Sequence, residues 1–322
     1  MKKTLNILFI THSIFAMKEI YLEQIRGAIP QAELMVVKHD KVTLDMLQKA
    51  EIIFGWPELE QLIEAKSLRW LHLPSAGADD YTDREIYYNK EILLTNSSGV
   101  FGLPIAEHVF AMILSYNHNL QDYAYHKLEK RWHRISEARD FYGSTIGIIG
   151  LGDIGTEVAK RAKAWGARVL AVKRTQSKVP EYVDQLFTFE DMDIVFEQSD
   201  YIVLALPSTP KTLGMITEKY LRKMKSNSFL VNIGRGSVID QEALIKALKE
   251  KWIGGAGLDV MVPEPLPKDS PLWELPNVII TPHASGGSPT NDQRRFDIFY
   301  RNLVLYIENK PLENMVDFKE GY

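Results

Sequence analysis

The chain has 322 residues, 45% of them hydrophobic and 25% charged, the balance of a globular protein with one large or two medium domains rather than of a disordered or fibrous one. Its 38 Lys and Arg stand against 42 Asp and Glu for a formal charge of -4, which offers no general electrostatic handle for nucleic acid. The absence of cysteine excludes disulfides, thiol catalysis and Cys-ligated metal centres, and agrees with a reducing compartment.

The opening MKKTLNILFITHS has two lysines but too short an apolar run for a secretory signal, so residues 5 to 10 read as a first buried strand. No uninterrupted apolar segment is long enough to cross a bilayer, and a soluble, cytoplasmic protein with no membrane partner is expected. Through residue 100, the apolar runs LNILFI, ELMVVK, EIIFG, RWLHLP and EILLTN alternate with helical patterns at 17–28, 43–50 and 57–66. Helix-length connections between strands predict parallel pairing, here in a flavodoxin-like α/β unit. The spacing then predicts one long helix over 104–126, opened by Pro104, with Ala106, Val109, Phe110, Ile113, Leu114 and Asn117 on a broad face. A helix so widely apolar needs cover from more than one side, either between domains or in a dimer.

A second alternating set follows: STIGIIG, ARVLAVKR, YIVLAL, SFLVNIG, GAGLDV and NVIITPH, with helical patterns near 154–165, 190–197, 217–223 and 240–250. This order predicts a Rossmann-type doubly wound parallel sheet, whose ligands lie beyond the carboxyl ends of its strands. Residues 291–309 again have helical spacing through Phe296, Phe299, Leu303 and Ile307. The expected division is therefore a discontinuous substrate and catalytic domain, 1–100 plus 290–322, and a dinucleotide-binding domain, 101–289, that carries the crossover and dimerisation helix 104–126.

Gly150-Leu151-Gly152-Asp153-Ile154-Gly155 places GxGxxG between an apolar strand and a helix. In that context Gly150 supplies the turn, Gly152 admits a pyrophosphate and Gly155 permits close packing of helix on strand, with the pyrophosphate at the helix start. The carboxylate of Asp153 would repel phosphate, so it is expected to point away or to cap an amide of its own helix. After the next strand come Lys173, Arg174 and Thr175, where an NAD-preferring site presents an acidic residue to the ribose. Arg can pair with a 2′-phosphate, so NADP(H) is expected to be preferred, with NAD(H) possible.

Three strand-ending segments, VNIGRG, LDVMVPEPLP and TPHASGG, deliver Arg235, Glu264 and His283 to one side of the expected sheet. A guanidinium suits a substrate carboxylate or carbonyl, and an imidazole oriented by a carboxylate suits proton transfer to a ketone under reduction. Taken singly, each has an ordinary explanation: a surface pair, a turn cap, a strand-end histidine.

Together with GLGDIG, the segments LPSTPKTLGMI at 206–216, NIGRGSVIDQEAL at 232–244, GLDVMVPEPLP at 257–267 and PLWELPNVIITPHASG at 271–286 make the chain resemble the D-isomer-specific 2-hydroxyacid dehydrogenase family over essentially its full length. The resemblance implies that Arg235 engages a 2-oxo acid and that Glu264 supports His283, which exchanges the substrate proton. It implies that LPSAGADD, through Ser75, Ala76, Gly77 and Ala78, binds the substrate carboxylate with backbone amides, with Asn96 to Val100 nearby. It extends the cofactor contacts to Pro207, Ser208, Thr212, Ile233, Gly234, Arg235, Asp259, His283 and Gly286. The expected activity is reversible NAD(P)H-dependent reduction of a 2-oxo acid to a D-2-hydroxy acid by a homodimer, with the small acid as partner. The alternative is a nucleotide-sensing interaction protein built on the same fold, which turnover on a simple 2-oxo acid would separate from the enzyme. Trp56, Phe101, Tyr116 and Trp132 are candidate pocket walls, which leaves the acid itself open. His108, His118, His126 and His133 have no metal-ligand spacing, so no metal is expected, and the lack of a P-loop lysine motif disfavours phosphoryl transfer.

Overall fold

The computed structural model describes residues 4–135, 138–175 and 177–319. The chain divides into two units, residues 1–100 with 288–322 and residues 101–287.

The first unit begins with the strands β1 (Leu5–Thr11), β2 (Ala32–Lys38), β3 (Ile52–Phe54), β4 (Trp70–Leu73) and β5 (Leu93–Asn96), in the order β2-β1-β3-β4-β5. All neighbours are parallel. Helices α1 (Glu19–Ala28), α2 (Leu44–Lys49) and α3 (Leu59–Leu62) supply connections. Ile7, Leu8, Phe9 and Ile10 of β1 are all buried, the continuous apolar run of a strand covered on both faces.

The second unit opens with α4 (Gly102–Asn117) and α5 (Leu120–Leu128). The single helix expected over 104–126 is corrected here: the chain breaks at His118 and Asn119, where Asn119 takes φ +53°. Asn visits this left-handed region more readily than most residues, and its amide donates to the Tyr116 carbonyl at 3.2 Å, closing α4. Hydrophobic spacing continues across the break, which is why the pattern read as one helix.

Next come β6 (Thr145–Ile149), α6 (Asp153–Ala164), β7 (Arg168–Val172), β8 (Gln185–Phe187), α7 (Met192–Gln198), β9 (Tyr201–Leu204), α8 (Glu218–Leu221), β10 (Phe229–Asn232), α9 (Gln241–Lys249), β11 (Gly255–Leu258) and β12 (Val278–Ile280). The order β12-β11-β10-β9-β6-β7-β8 is parallel throughout and reverses direction at β6, the doubly wound Rossmann arrangement. Strand β8 escapes the sequence reading because three residues, none of them fully buried, give too short a period to register.

The chain then returns to the first unit in α10 (Asn291–Ile307). Phe299 stacks on Phe54 at 4.6 Å and on Trp70 at 5.2 Å, and Phe296 stacks on Tyr21 at 4.4 Å. This aromatic core joins residues far apart in sequence and binds the last segment to the first sheet. Among the described residues, no helix is long and apolar enough to cross a membrane.

Candidate active site

The turn between β6 and α6 is built for close backbone approach. Gly150 has φ +105°, and a Cβ on Gly155 would lie 2.1 Å from the Gly150 carbonyl oxygen, so neither position admits a larger residue without moving the turn. Among the described residues outside its own helix and its chain neighbours, nothing would lie within 4 Å of a Cβ at Gly152, so the space there is open. The amides of Gly152, Ile154 and Gly155 donate to no acceptor among the described residues, the ordinary state of a helix start and a ready anion site. Asp153 turns elsewhere. Its Oδ2 accepts from the Gly102 amide at 2.9 Å, capping the start of α4 rather than its own helix. These features fit a dinucleotide pyrophosphate.

Past the end of β7, Lys173 is half-buried and Arg174 and Thr175 are exposed. The Lys173 amide donates to the Phe187 carbonyl at 3.0 Å, and a recess of about 390 Å³ lies alongside, lined by Ser177, Val179, Leu186 and Phe187. A basic pair beside a partly apolar recess suits an adenosine carrying a 2′-phosphate.

Beyond β9, the Thr212 hydroxyl donates to the Pro207 carbonyl at 2.6 Å and accepts from the Thr209 amide at 2.9 Å, so Thr212 builds the loop. Ser208 and Ser237 share a hydroxyl bond at 2.9 Å, linking this loop to the one after β10. There, buried Asn232 donates to the Arg235 carbonyl at 3.0 Å and accepts from the Gly234 amide at 3.2 Å, fixing the turn through Ile233, Gly234 and Arg235. The Arg235 loop also touches the loop after β11, since a Cβ on Gly236 would lie 2.3 Å from the Met261 carbonyl carbon.

That second loop carries Glu264, whose Oε1 accepts from the Met261 amide at 3.0 Å and whose Oε2 meets His283 Nδ1 at 2.8 Å. A carboxylate only accepts, so Nδ1 carries the proton of this bond, and Nε2 has no hydrogen-bond partner among the described residues. His283 is half-exposed and has φ +50°, held there by a bond from its amide to the Asp259 carbonyl at 2.8 Å. Arg235, Glu264 and His283 thus follow three neighbouring strands, β10, β11 and β12.

Beneath His283 lies Asp259, fully buried, accepting from Thr281 Oγ1 at 2.5 Å and from the amides of Ala284 and Ser285 at 2.9 and 3.0 Å. Burial pushes its carboxyl up, but the bonds from Ser285 and Thr281 and from the two amides outweigh it and hold the group below the usual carboxylate range. His108 of α4 approaches Thr281 Oγ1 at 3.0 Å. Since Thr281 donates to Asp259, His108 Nε2 is the donor. Asn232, Thr281 and His108 were absent from the expected site. A polar residue at a strand end was the available signal for the first two. Among the described residues, no three His, Asp or Glu side chains gather to hold a metal.

In the first unit, the segment after β4 presents a second kind of site. The carbonyls of Pro74, Ser75, Ala76, Gly77 and Ala78 are all engaged within the unit: by Arg295 Nε at 2.9 Å, the Ser97 amide at 2.8 Å, Asn96 Nδ2 at 2.7 Å, Ser75 Oγ at 2.7 Å and the Tyr81 amide at 2.9 Å. The amides of Ser75, Ala76, Gly77 and Ala78, by contrast, have no acceptor among the described residues. A trans peptide points its N–H opposite to its C=O, so each anchored carbonyl aims the following amide away from its anchor. Four unspent donors in succession suit an anion.

Of the aromatic candidates, Trp56 adjoins this segment, donating to Ser75 Oγ at 3.2 Å. In the second unit, Phe101 packs against its helix core, Tyr116 stacks on Phe229 at 4.3 Å, and Trp132 is fully exposed.

The model of the D-isomer specific 2-hydroxyacid dehydrogenase NAD-binding domain matches residues 110–285. A glyoxylate reductase of Thermococcus gammatolerans is 38% identical over 292 residues, 90% of this chain and 83% of that one. The crystal structure of a D-isomer specific 2-hydroxyacid dehydrogenase family protein from Aeromonas salmonicida superposes with a TM-score of 0.86 at 30% identity, covering 98% of this chain and all of the other. An acyclic imino acid reductase solved with NADPH and D-Arg gives 0.83 at 26%, covering 97% of this chain and all of that one. With a match running through the turn, the Arg235 loop and the Glu264–His283 pair, the chain belongs to the D-isomer specific 2-hydroxyacid dehydrogenase family.

Proposed function

We propose that the protein is an NADPH-preferring reductase that converts a small 2-oxo acid to a D-2-hydroxy acid, reversibly. The observation that carries this is the Glu264–His283 bond of 2.8 Å, with an imidazole Nε2 that no described residue engages, after strands adjoining the Arg235 loop's strand in a sheet that also bears the GxGxxG turn. When bound, the nicotinamide supplies the hydride. His283 Nε2 donates the proton to the substrate's carbonyl oxygen, and Glu264, bonded to Nδ1, orients the ring for that transfer. Arg235 counters the negative charge that grows on that oxygen. The four amides of Ser75 to Ala78 take the substrate carboxylate. Lys173, Arg174 and Thr175 take the 2′-phosphate; NAD(H), lacking that group, is the poorer cofactor. The Thermococcus glyoxylate reductase and the NADPH-bound imino acid reductase support this reading of substrate size and cofactor.

The same proposal includes a flavodoxin-like first unit, supported by its 2-1-3-4-5 strand order, that acts as the substrate domain. It includes a homodimer, supported by exposed Leu120, Tyr125, Leu128, Trp132 and Tyr142 on and beyond α5. Cytoplasmic residence rests on the cysteine-free composition. The test is single-turnover reduction of glyoxylate, hydroxypyruvate and pyruvate by wild type and His283→Ala, with NADPH affinity measured separately. Loss of about 10²- to 10⁴-fold in the chemical step with retained nucleotide binding is expected. Near-normal chemistry in the variant overturns the assignment.

A further inference from the structure

Arg295 lies in the first turns of α10, only 5% exposed, far in sequence from the segment that offers its amides to an anion. Its Nε donates to the Pro74 carbonyl at 2.9 Å, and its Nη1 donates to the Ile14 carbonyl at 2.8 Å and to Asp292 Oδ1 at 3.0 Å. Asp292 Oδ2 in turn accepts from the Ala16 amide at 3.3 Å. One guanidinium therefore ties together the loop after β1, the loop after β4 and the returning helix. Asn96, at the end of β5, does the same for the next turn of the segment: Nδ2 donates to the Ala76 carbonyl and Oδ1 accepts from the Ser98 amide at 3.1 Å. Asn96 is itself held by Asn314, whose carbonyl accepts from the Asn96 amide at 3.2 Å.

A buried charge costs several kcal/mol in desolvation. Packing the helix against the sheet needs no charge at this position, because Phe296, Phe299 and Leu303 already provide the apolar contact. What the guanidinium adds is direction. It has donors in a fixed plane, and it uses them on two carbonyls that no strand or helix engages. The carbonyl of Pro74 and the N–H of Ser75 belong to one peptide unit. A charge-assisted bond to the oxygen fixes the plane of that unit and draws electron density from its nitrogen, making the N–H a stronger donor to an anion.

We propose that Arg295, with Asn96, is a positioning residue for substrate binding, holding the peptide units of 74–77 so that the following amides are pre-set for a carboxylate. The inference rests on the assignment of Ser75 to Ala78 to the substrate carboxylate. Neither side chain reacts; both set the geometry of donors before the substrate arrives, so their removal weakens binding of the acid rather than the chemical step.

The experiment compares a 2-oxo acid with its uncharged primary amide, pyruvate against pyruvamide, in wild type, Arg295→Lys and Asn96→Ala. Lysine keeps the charge of Arg295 but has no planar fork to reach both carbonyls. The expected result for either variant is a rise in KM for pyruvate on the order of tenfold, the size of one charge-assisted hydrogen bond. The kcat, the NADPH affinity and kcat/KM for pyruvamide are expected to stay close to wild type. Parallel losses on acid and amide, or a fall confined to kcat, would overturn the positioning role in favour of a purely structural one. If Arg295→Lys does not fold, Asn96→Ala carries the same comparison. A wild-type enzyme that uses pyruvamide as well as pyruvate would instead overturn the carboxylate assignment on which the inference stands, and the two failures are therefore distinct.

Discussion

Lowering the pH from neutral to about 5 should destabilise the first unit through a single buried imidazole. His72 of β4 is fully buried among Phe54, Trp70 and Phe299. Its hydrogen bonds admit one neutral tautomer. Trp70 Nε1 can only donate, and it gives its proton to Thr95 Oγ1 at 2.8 Å; Thr95 gives its own proton to His72 Nδ1 at 2.7 Å when the ring's proton sits on Nε2. The Leu73 carbonyl can only accept, so it takes the Ser97 proton at 2.9 Å and leaves Ser97 Oγ to accept from His72 Nε2 at 3.3 Å. A proton added at Nδ1 would turn the Thr95 hydroxyl proton away and leave a charge in a site with no counter-charge among its hydrogen-bond partners. Burial pushes the imidazole down from 6.5 to about 3. Below pH 6.5 the unfolded chain therefore takes up a proton that the folded chain refuses, and stability is lost progressively as the pH falls toward 3. At 1.36 kcal/mol per pH unit, reaching pH 5 removes about 2 kcal/mol. Urea unfolding of wild type and His72→Gln at several pH values isolates this contribution, because the variant lacks the titrating group while retaining a donor and an acceptor. The wild type should lose the extra amount, and the His72 ring resonances of the folded protein should show no protonation at pH 5 by NMR. Parallel stability curves, or a ring that titrates near 6.5 in the folded state, would refute the reasoning.

Replacing Arg174 with Ala should lower kcat/KM for NADPH by about tenfold or more, the range of a charge-assisted bond, and leave NADH use nearly unchanged. Equal losses in a steady-state comparison would remove the 2′-phosphate role. Thr281→Val deletes one of the donors that hold the Asp259 carboxyl down, so its folded-state pKa rises toward the ordinary range. Because a depressed carboxyl contributes stability that disappears as pH falls through the folded pKa, the variant's acid unfolding midpoint, read by circular dichroism, should move to higher pH. An unmoved midpoint would mean that the bond contributes nothing to the charge. Static light scattering should give about twice the 36.8 kDa chain mass, and a fully active monomer would defeat the dimer proposal.

Elements that depend on local pattern were legible in the order of residues alone. Strands buried on both faces, such as β1, β6 and β9, appear as uninterrupted apolar runs, because every side chain along them faces a covered layer. The GxGxxG turn was legible for a related reason: its backbone demands fall on residues adjacent in sequence, and only glycine meets them at Gly150 and Gly155. The same locality explains the errors. Apolar spacing carries across Asn119 although the helix does not, and β8 is too short to establish a period. Tertiary structure alone decided what is long-range. That Asp153 caps Gly102, that His108 reaches Thr281, and that Arg295 anchors Pro74 depends on side chains brought together across 51, 173 and 221 positions. No periodicity encodes such pairs. Burial selects them, because a polar group taken out of water must find its partner wherever the packed chain happens to present one.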